Sequence, residues 1–250
     1  MTGDVNHERM LAGARILVST CTQVQKGEQV LVIGDTGTMS IAEAVVQAAT
    51  ERGSEATLIL MPLRPADSQE PPPTIAAAMR SADVIFTPVT RSITHTNAMK
   101  EAVGGGSRAI AMSAYTEDLL MSEALKVDFE ALAPTCVEVG RRLTAAHRAR
   151  LTTPAGTDLV MDLSDRKANS LTCIVRKGEF SPCPNIEANI VPLEGSPQGV
   201  IVADGSVPYL GIGILRENIR LNVKDGFIIS VEGGEQAETL KAAWEAQGDP

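Results

Sequence analysis

Over the first 148 residues, short and mostly apolar runs alternate with longer amphipathic ones, and few folds accept that pattern. Residues 29–33 (QVLVI), 56–61 (ATLILM), 83–87 (DVIFT) and 108–112 (RAIAM) read as strands buried on both faces, as in a parallel sheet. Between and around them lie helical periods. Residues 8–24 place Met10, Ala14, Leu17 and Cys21 on one stripe. A second helix passes through Ile41, Ala44, Val45 and Ala48 and closes near Gly53, and a third, 73–81, opens on proline. A fourth, 96–103, is broken by Gly104-Gly105-Gly106, and residues 116–126 and 128–148 are helical as well. Strand and helix in alternation predict a doubly wound α/β domain over residues 1–148, its parallel sheet covered on both faces. Pro65, Pro71, Pro72 and Pro73 make the segment 64–73 a stiff surface loop.

The rhythm changes after residue 149. Residues 151–154, 158–163, 171–176, 199–203, 218–223 and 227–231 are short strand patterns separated by turns. Lys224-Asp225-Gly226 between two of them is a hairpin signal. Residues 149–250 therefore predict a β-rich α+β second domain closed by a helix at 235–247. A helix followed by Gly-Asp-Pro ordinarily leads into another element, so this domain reads as incomplete.

Composition narrows the function. The formal net charge of -9 disfavours phosphate backbones, and 3% aromatics leave little to stack on bases, so nucleic acid is excluded as a partner. No apolar run approaches a bilayer span and the start lacks a signal peptide, so the expected place is the cytoplasm, with no membrane partner. The four cysteines, Cys21, Cys136, Cys173 and Cys183, contain no Cys-x-x-Cys pair. The first three fall in helix or strand patterns as small hydrophobes, while Cys183, before Pro184 in a loop, is expected to be accessible.

Among motifs, Gly34-x-x-Gly37 between a strand and a helix could cradle a phosphate, but it lacks the full dinucleotide and P-loop patterns. A tight turn with Thr38 or Ser40 capping the helix explains it better. His95 follows the third strand, at the end where α/β sheets bind ligands, and is a candidate catalytic residue; an exposed loop histidine or a helix cap is the alternative. Glu187 stands between Pro184 and Pro192 in an extended segment, and a fixed carboxylate suits a hard metal or general-base chemistry. His7, in a start that reads as disordered, and His147, on the last turn of a helix, are expected at the surface. Neither a Gly-x-Ser-x-Gly elbow nor a His-Glu-x-x-His motif is present.

These residues carry a resemblance. Residues 178–180 (GEF), 184–195 (PNIEANIVPLEG), 199–206 (GVIVADGS), 223–226 (VKDG) and 231–237 (VEGGEQA) resemble the thermophilic-type metalloaminopeptidases of the aminopeptidase T and aminopeptidase S group. Residues 94–98 (THTNA) and 100–102 (KEA) fit the same family. The resemblance implies a pair of divalent metals (Zn, Co, Mn or Fe), with Glu187 at the position of the first metal glutamate, although Ile186 stands where that family has glycine. The remaining ligands of the family lie downstream of this sequence. The implied activity is a metal-dependent hydrolase whose activated water attacks an amide of a peptide or small-molecule substrate, in a homodimer. The fold also resembles that of 2,5-dihydroxypyridine 5,6-dioxygenase, an iron-dependent ring-cleaving enzyme, and of a deaminating hydrolase of nitroanthranilate. In the dioxygenase the histidine matching His95 enters the pocket of a neighbouring subunit. It has no glutamate at the place of Glu187, which favours the peptidase side. A non-catalytic binder using the Gly34–Gly37 turn is a third expectation.

Overall fold

A computed structural model describes residues 2–208 and 210–246. The elements run α1 (Thr2–Ile16), β1 (Gln29–Asp35), α2 (Met39–Glu51), β2 (Glu55–Met61), α3 (Pro73–Arg80), β3 (Val84–Val89), α4 (Asn97–Gly104), β4 (Arg108–Ser113), α5 (Glu117–Leu120) and α6 (Phe129–Ala145). They continue with β5 (Arg148–Thr152), β6 (Asp158–Asp162), β7 (Asn169–Leu171), β8 (Phe180–Pro182), β9 (Glu187–Asn189), β10 (Gln198–Ala203), β11 (Ser206–Val207), β12 (Gly213–Ile214), β13 (Ile219–Lys224), β14 (Phe227–Glu232) and α7 (Glu235–Glu245). The expected final helix is present to Glu245; Gln247 and the closing Gly-Asp-Pro lie outside the described residues.

The chain divides into two compact units. The first holds residues 1–138 and takes back residues 170–188; the second holds 139–169 and 189–250. Glu187, expected in the second domain, thus belongs to the first unit.

The first unit is the predicted α/β layer structure. Its five-stranded sheet has the order β2-β1-β3-β4-β8 and is parallel throughout. The strands are apolar on both faces because both faces are covered. Val30, Val32, Val84, Phe86, Ile110 and Met112 pack with α1 and α2, while Leu31, Ile33, Ile85, Val89 and Ala109 pack with α3 and α4. Residues 171–176 do not form the expected strand. The fifth strand is instead β8, which pairs Ala109, Ile110 and Ala111 of β4 with Phe180, Ser181 and Pro182. Residues 8–24 form no single helix either: after Ile16 the chain widens into a π-helical turn, Leu17–Cys21. Thr22 closes that turn, its hydroxyl donating to the carbonyls of Leu17 and Val18 at 3.0 and 3.1 Å. His7 lies in α1, with Nε2 2.8 Å from Gln47 Oε1, so the start is ordered there.

The second unit is an antiparallel sheet of order β14-β13-β10-β6-β5, with α7 packed on it. The predicted hairpin joins β13 to β14 at Asp225 (φ 51°) and Gly226 (φ 81°), two successive left-handed residues as a primed turn requires. No helix among the described residues is long and apolar enough to cross a membrane.

Candidate functional site

Because β1, β3, β4 and β8 run parallel, their carboxyl ends share one edge of the first unit's sheet. The chain order reverses between β1 and β3, the crevice where open α/β sheets receive ligands. The Gly34–Gly37 turn lies at that point, and its own carboxylate fills it. Asp35 is 1% exposed. Its Oδ1 accepts from the Gly37 amide and the Thr90 hydroxyl, each at 2.9 Å, and its Oδ2 accepts from the Thr90 amide at 2.6 Å. A phosphate would meet a negative charge there, so the turn is a structural tie between β1 and the exit of β3. Thr38 precedes α2 but does not cap it with its side chain; its hydroxyl donates to the Pro88 carbonyl at 2.6 Å. Ser40 also serves another partner, donating to Glu117.

His95 follows β3 on this edge, inside the segment 90–96. Its ring is exposed and has no hydrogen-bond partner among the described residues. The helix cap is the neighbouring Thr96, whose hydroxyl accepts from the Met99 amide. Thr94 Oγ1 lies 3.5 Å from Ser113 Oγ, which brings the segment to the end of β4. The hydroxyls of Ser92, Thr94 and Ser113 thus form a linked run from the segment that carries His95 to the end of β4.

Glu187 opens β9, a few residues beyond the carboxyl end of β8, and is exposed. One carboxylate oxygen accepts from the side-chain amide of Asn185 at 2.9 Å. Asn185 is held in turn by the Cys173 sulfur, which accepts from its amide and donates to its carbonyl, both at 3.0 Å. The segment is therefore pinned by a thiol from inside the core as well as bracketed by prolines. The sequence offers no hint of this, since Cys173 reads only as a small hydrophobe. His95 and Glu187 leave the same sheet edge from β3 and β8, with β4 between them.

All four cysteines are buried, Cys183 included at 5% exposure, contrary to its expected accessibility. The hydrogen bond with Cys173 and burial push the Cys183 thiol up, so it does not offer a thiolate. Burial likewise pushes up the phenol of Tyr115, whose hydroxyl has no hydrogen-bond partner among the described residues. His147 lies beyond the end of α6 and is exposed. Among the described residues, no group of three or more His, Cys, Asp or Glu side chains is arranged to hold a metal ion.

No curated protein matches the chain. The 2,5-dihydroxypyridine dioxygenase of Pseudomonas putida KT2440 has a similar structure, with a TM-score of 0.84 at 18% identity over 98% of this chain and 73% of that one. AmpT from Thermus thermophilus gives a TM-score of 0.67 at 17% identity over 95% of this chain and 74% of that one. At such identities these likenesses establish the fold alone. A family model does more: NicX, described as 2,5-dihydroxypyridine 5,6-dioxygenase, matches residues 15–250. The weight that Glu187 lends to the aminopeptidases does not decide the family. With nearly the whole chain matched, this protein belongs to the 2,5-dihydroxypyridine 5,6-dioxygenase family.

Proposed function

We propose that this protein is a ring-cleaving dioxygenase of hydroxylated pyridines. The family match over residues 15–250 carries the reading. The geometry is compatible with it. A hydroxypyridine is a flat ring whose hydroxyl groups donate, accept and ionise. The sheet edge offers an unengaged imidazole, His95, and, on its segment and at the end of β4, the linked hydroxyls of Ser92, Thr94 and Ser113. In this reading His95 accepts a proton or hydrogen bond from a ring hydroxyl while the alcohols orient the ring. The exposure of His95 also suits a role in the pocket of a second copy, and we take the working form to be a homodimer, which sedimentation equilibrium would test.

Dioxygenases of aromatic rings draw on a divalent metal such as ferrous iron. The described side chains do not by themselves fit such an ion, since no group of three donors forms. The role proposed for this chain's residues is accordingly on the substrate side.

The test is oxygen uptake with ferrous iron and 2,5-dihydroxypyridine, followed together with loss of ring absorbance. Stoichiometric uptake is expected, with His95→Ala lowering kcat/KM by roughly 100-fold, the scale of one lost acid–base group. Absence of uptake would refute the reading. A second reading, a metal-dependent hydrolase of amide bonds with Glu187 as a metal ligand, is favoured by the carboxylate that Asn185 holds in place. Release of amine from aminoacyl amides, abolished by Glu187→Ala, would support it; unchanged turnover in that variant would remove Glu187 from the chemistry.

A further inference from the structure

We propose that the proline-stiffened loop between β2 and α3 is a strap that sets the position of His95, with Asp67 and Glu70 as its positioning residues. The proposal rests on the role given to His95 above.

The segment 91–98 that carries His95 is held by the strap on both sides of the histidine. On the near side, Asp67 Oδ1 accepts from the Ser92 amide at 2.8 Å, and the Ser68 amide donates to the Ser92 carbonyl at 2.7 Å. Both backbone groups of Ser92 are therefore engaged by the same two residues. Asp67 Oδ2 also faces Arg91 at 3.8 Å, an exposed pair that contributes little by itself. On the far side, Glu70 spreads its carboxylate over the first turn of α4, taking the Asn97 amide at 2.6 Å and the Ala98 amide at 3.2 Å. These amides have no partner within the helix, so an incoming carboxylate is well placed there.

The strap is itself rigid enough to impose a position. Pro65, Pro71 and Pro72 limit its backbone freedom, and Pro71 is buried. Arg64 donates to the Glu70 carbonyl at 3.1 Å and closes the strap on itself. Ser68 holds a left-handed φ of 63°, uncommon for serine, at the residue whose amide reaches Ser92. These hydrogen bonds brace the strap and tie it to residues 92, 97 and 98, while the His95 ring is left unbonded. That arrangement fixes the backbone of a histidine and leaves its imidazole for another molecule.

The experiment compares Asp67→Ala, Asp67→Asn, Glu70→Ala and Glu70→Gln in the full chain. Amide hydrogen exchange is read at Ser92, Asn97 and Ala98, with Met99, capped independently by Thr96, as the internal control. Asp67→Ala should speed exchange at Ser92, and Glu70→Ala at Asn97 and Ala98, each by roughly tenfold, with Met99 unchanged. Asp67→Asn should restore protection at Ser92, since it keeps the one acceptor used there, whereas Glu70→Gln keeps one acceptor for two amides and should restore protection at only one of Asn97 and Ala98. The assigned His95 ring resonance should shift or broaden in Glu70→Ala. Oxygen uptake is then measured in the presence and absence of His95→Ala. The strap variants should lower kcat/KM only when His95 is present. Unchanged exchange and an unchanged His95 resonance would overturn the strap. So would losses in activity that multiply independently of His95→Ala. Failure of the unmodified protein to take up oxygen would overturn the dioxygenase reading, leaving exchange and resonance to decide the strap.

Discussion

A carboxylate that is 1% exposed needs every lone pair answered, and Asp35 is answered by donors alone. The Gly37 amide, the Thr90 amide and the Thr90 hydroxyl converge on it, which suits an acceptor with no hydrogen of its own. An asparagine in its place would have nearly the same shape and the wrong polarity: either orientation of its amide sets an N–H against an N–H. Asp35→Asn should therefore destabilise the fold by about 2 kcal/mol, the cost of a buried donor left unpaired. Urea unfolding reads this directly, and a midpoint unchanged from the unmodified chain would mean the Asp35 network is not formed. The sequence shows the turn through Gly34 and Gly37 but not its occupant, because Thr90 lies 55 positions away. The same limit applies to Asp67 and Glu70. Acidic residues in a proline-rich loop read as solvated, and their partners here are backbone amides that carry no signature in sequence. His95 is legible because position alone, just past a parallel strand, marks it. The hold on Glu187 is not, because it runs through the sulfur of Cys173.

At the level of elements, β1 to β4 are readable because buried parallel strands are apolar on both faces and glycine or proline interrupts the chain between them. The strand β8 escapes because three residues ending in proline show no period, and their pairing partner is about seventy positions earlier. Helix packing holds a similar hidden constraint. A methyl group added at Gly13 of α1 would lie 2.0 Å from the Leu120 carbonyl oxygen of α5, a backbone atom that cannot rotate aside. Replacing a mid-helix glycine by alanine ordinarily gains up to about 1 kcal/mol, whereas an overpacked contact costs about 1–3 kcal/mol. The clash should win, so Gly13→Ala is expected to lower the unfolding midpoint. Gly104, at the end of α4, has open space around its added carbon and supplies the control: Gly104→Ala should be neutral or stabilising. A stabilised Gly13→Ala would show that α1 and α5 do not approach so closely.

For the whole molecule, the discontinuous first unit makes a sharper statement than a single boundary at residue 148 would. Residues 170–188 return to it with β8, and with Cys173, Val175 and Cys183, which sit in the same core cluster as Leu17, Val18, Phe86, Ile110 and Met112. Backbone bonds accompany them: the Ala109 amide donates to Glu179 at 3.0 Å, and the Val175 amide donates to Cys21 at 2.8 Å. A chain ending at 148 loses these contacts and exposes the outer edge of β4. Each buried apolar side chain of this size is worth on the order of 1–3 kcal/mol, against a total stability of about 5–15 kcal/mol for an ordinary domain. Residues 1–148 should therefore unfold in urea over a broad, shallow transition with poorly dispersed amide resonances. Residues 1–188 should recover a steep transition, since β8 and the three returning core side chains are restored. Steep and coincident transitions for the two would mean that residues 170–188 are not integral to the first unit, and the placement of Glu187 beyond the same sheet edge as His95 would lose its structural basis.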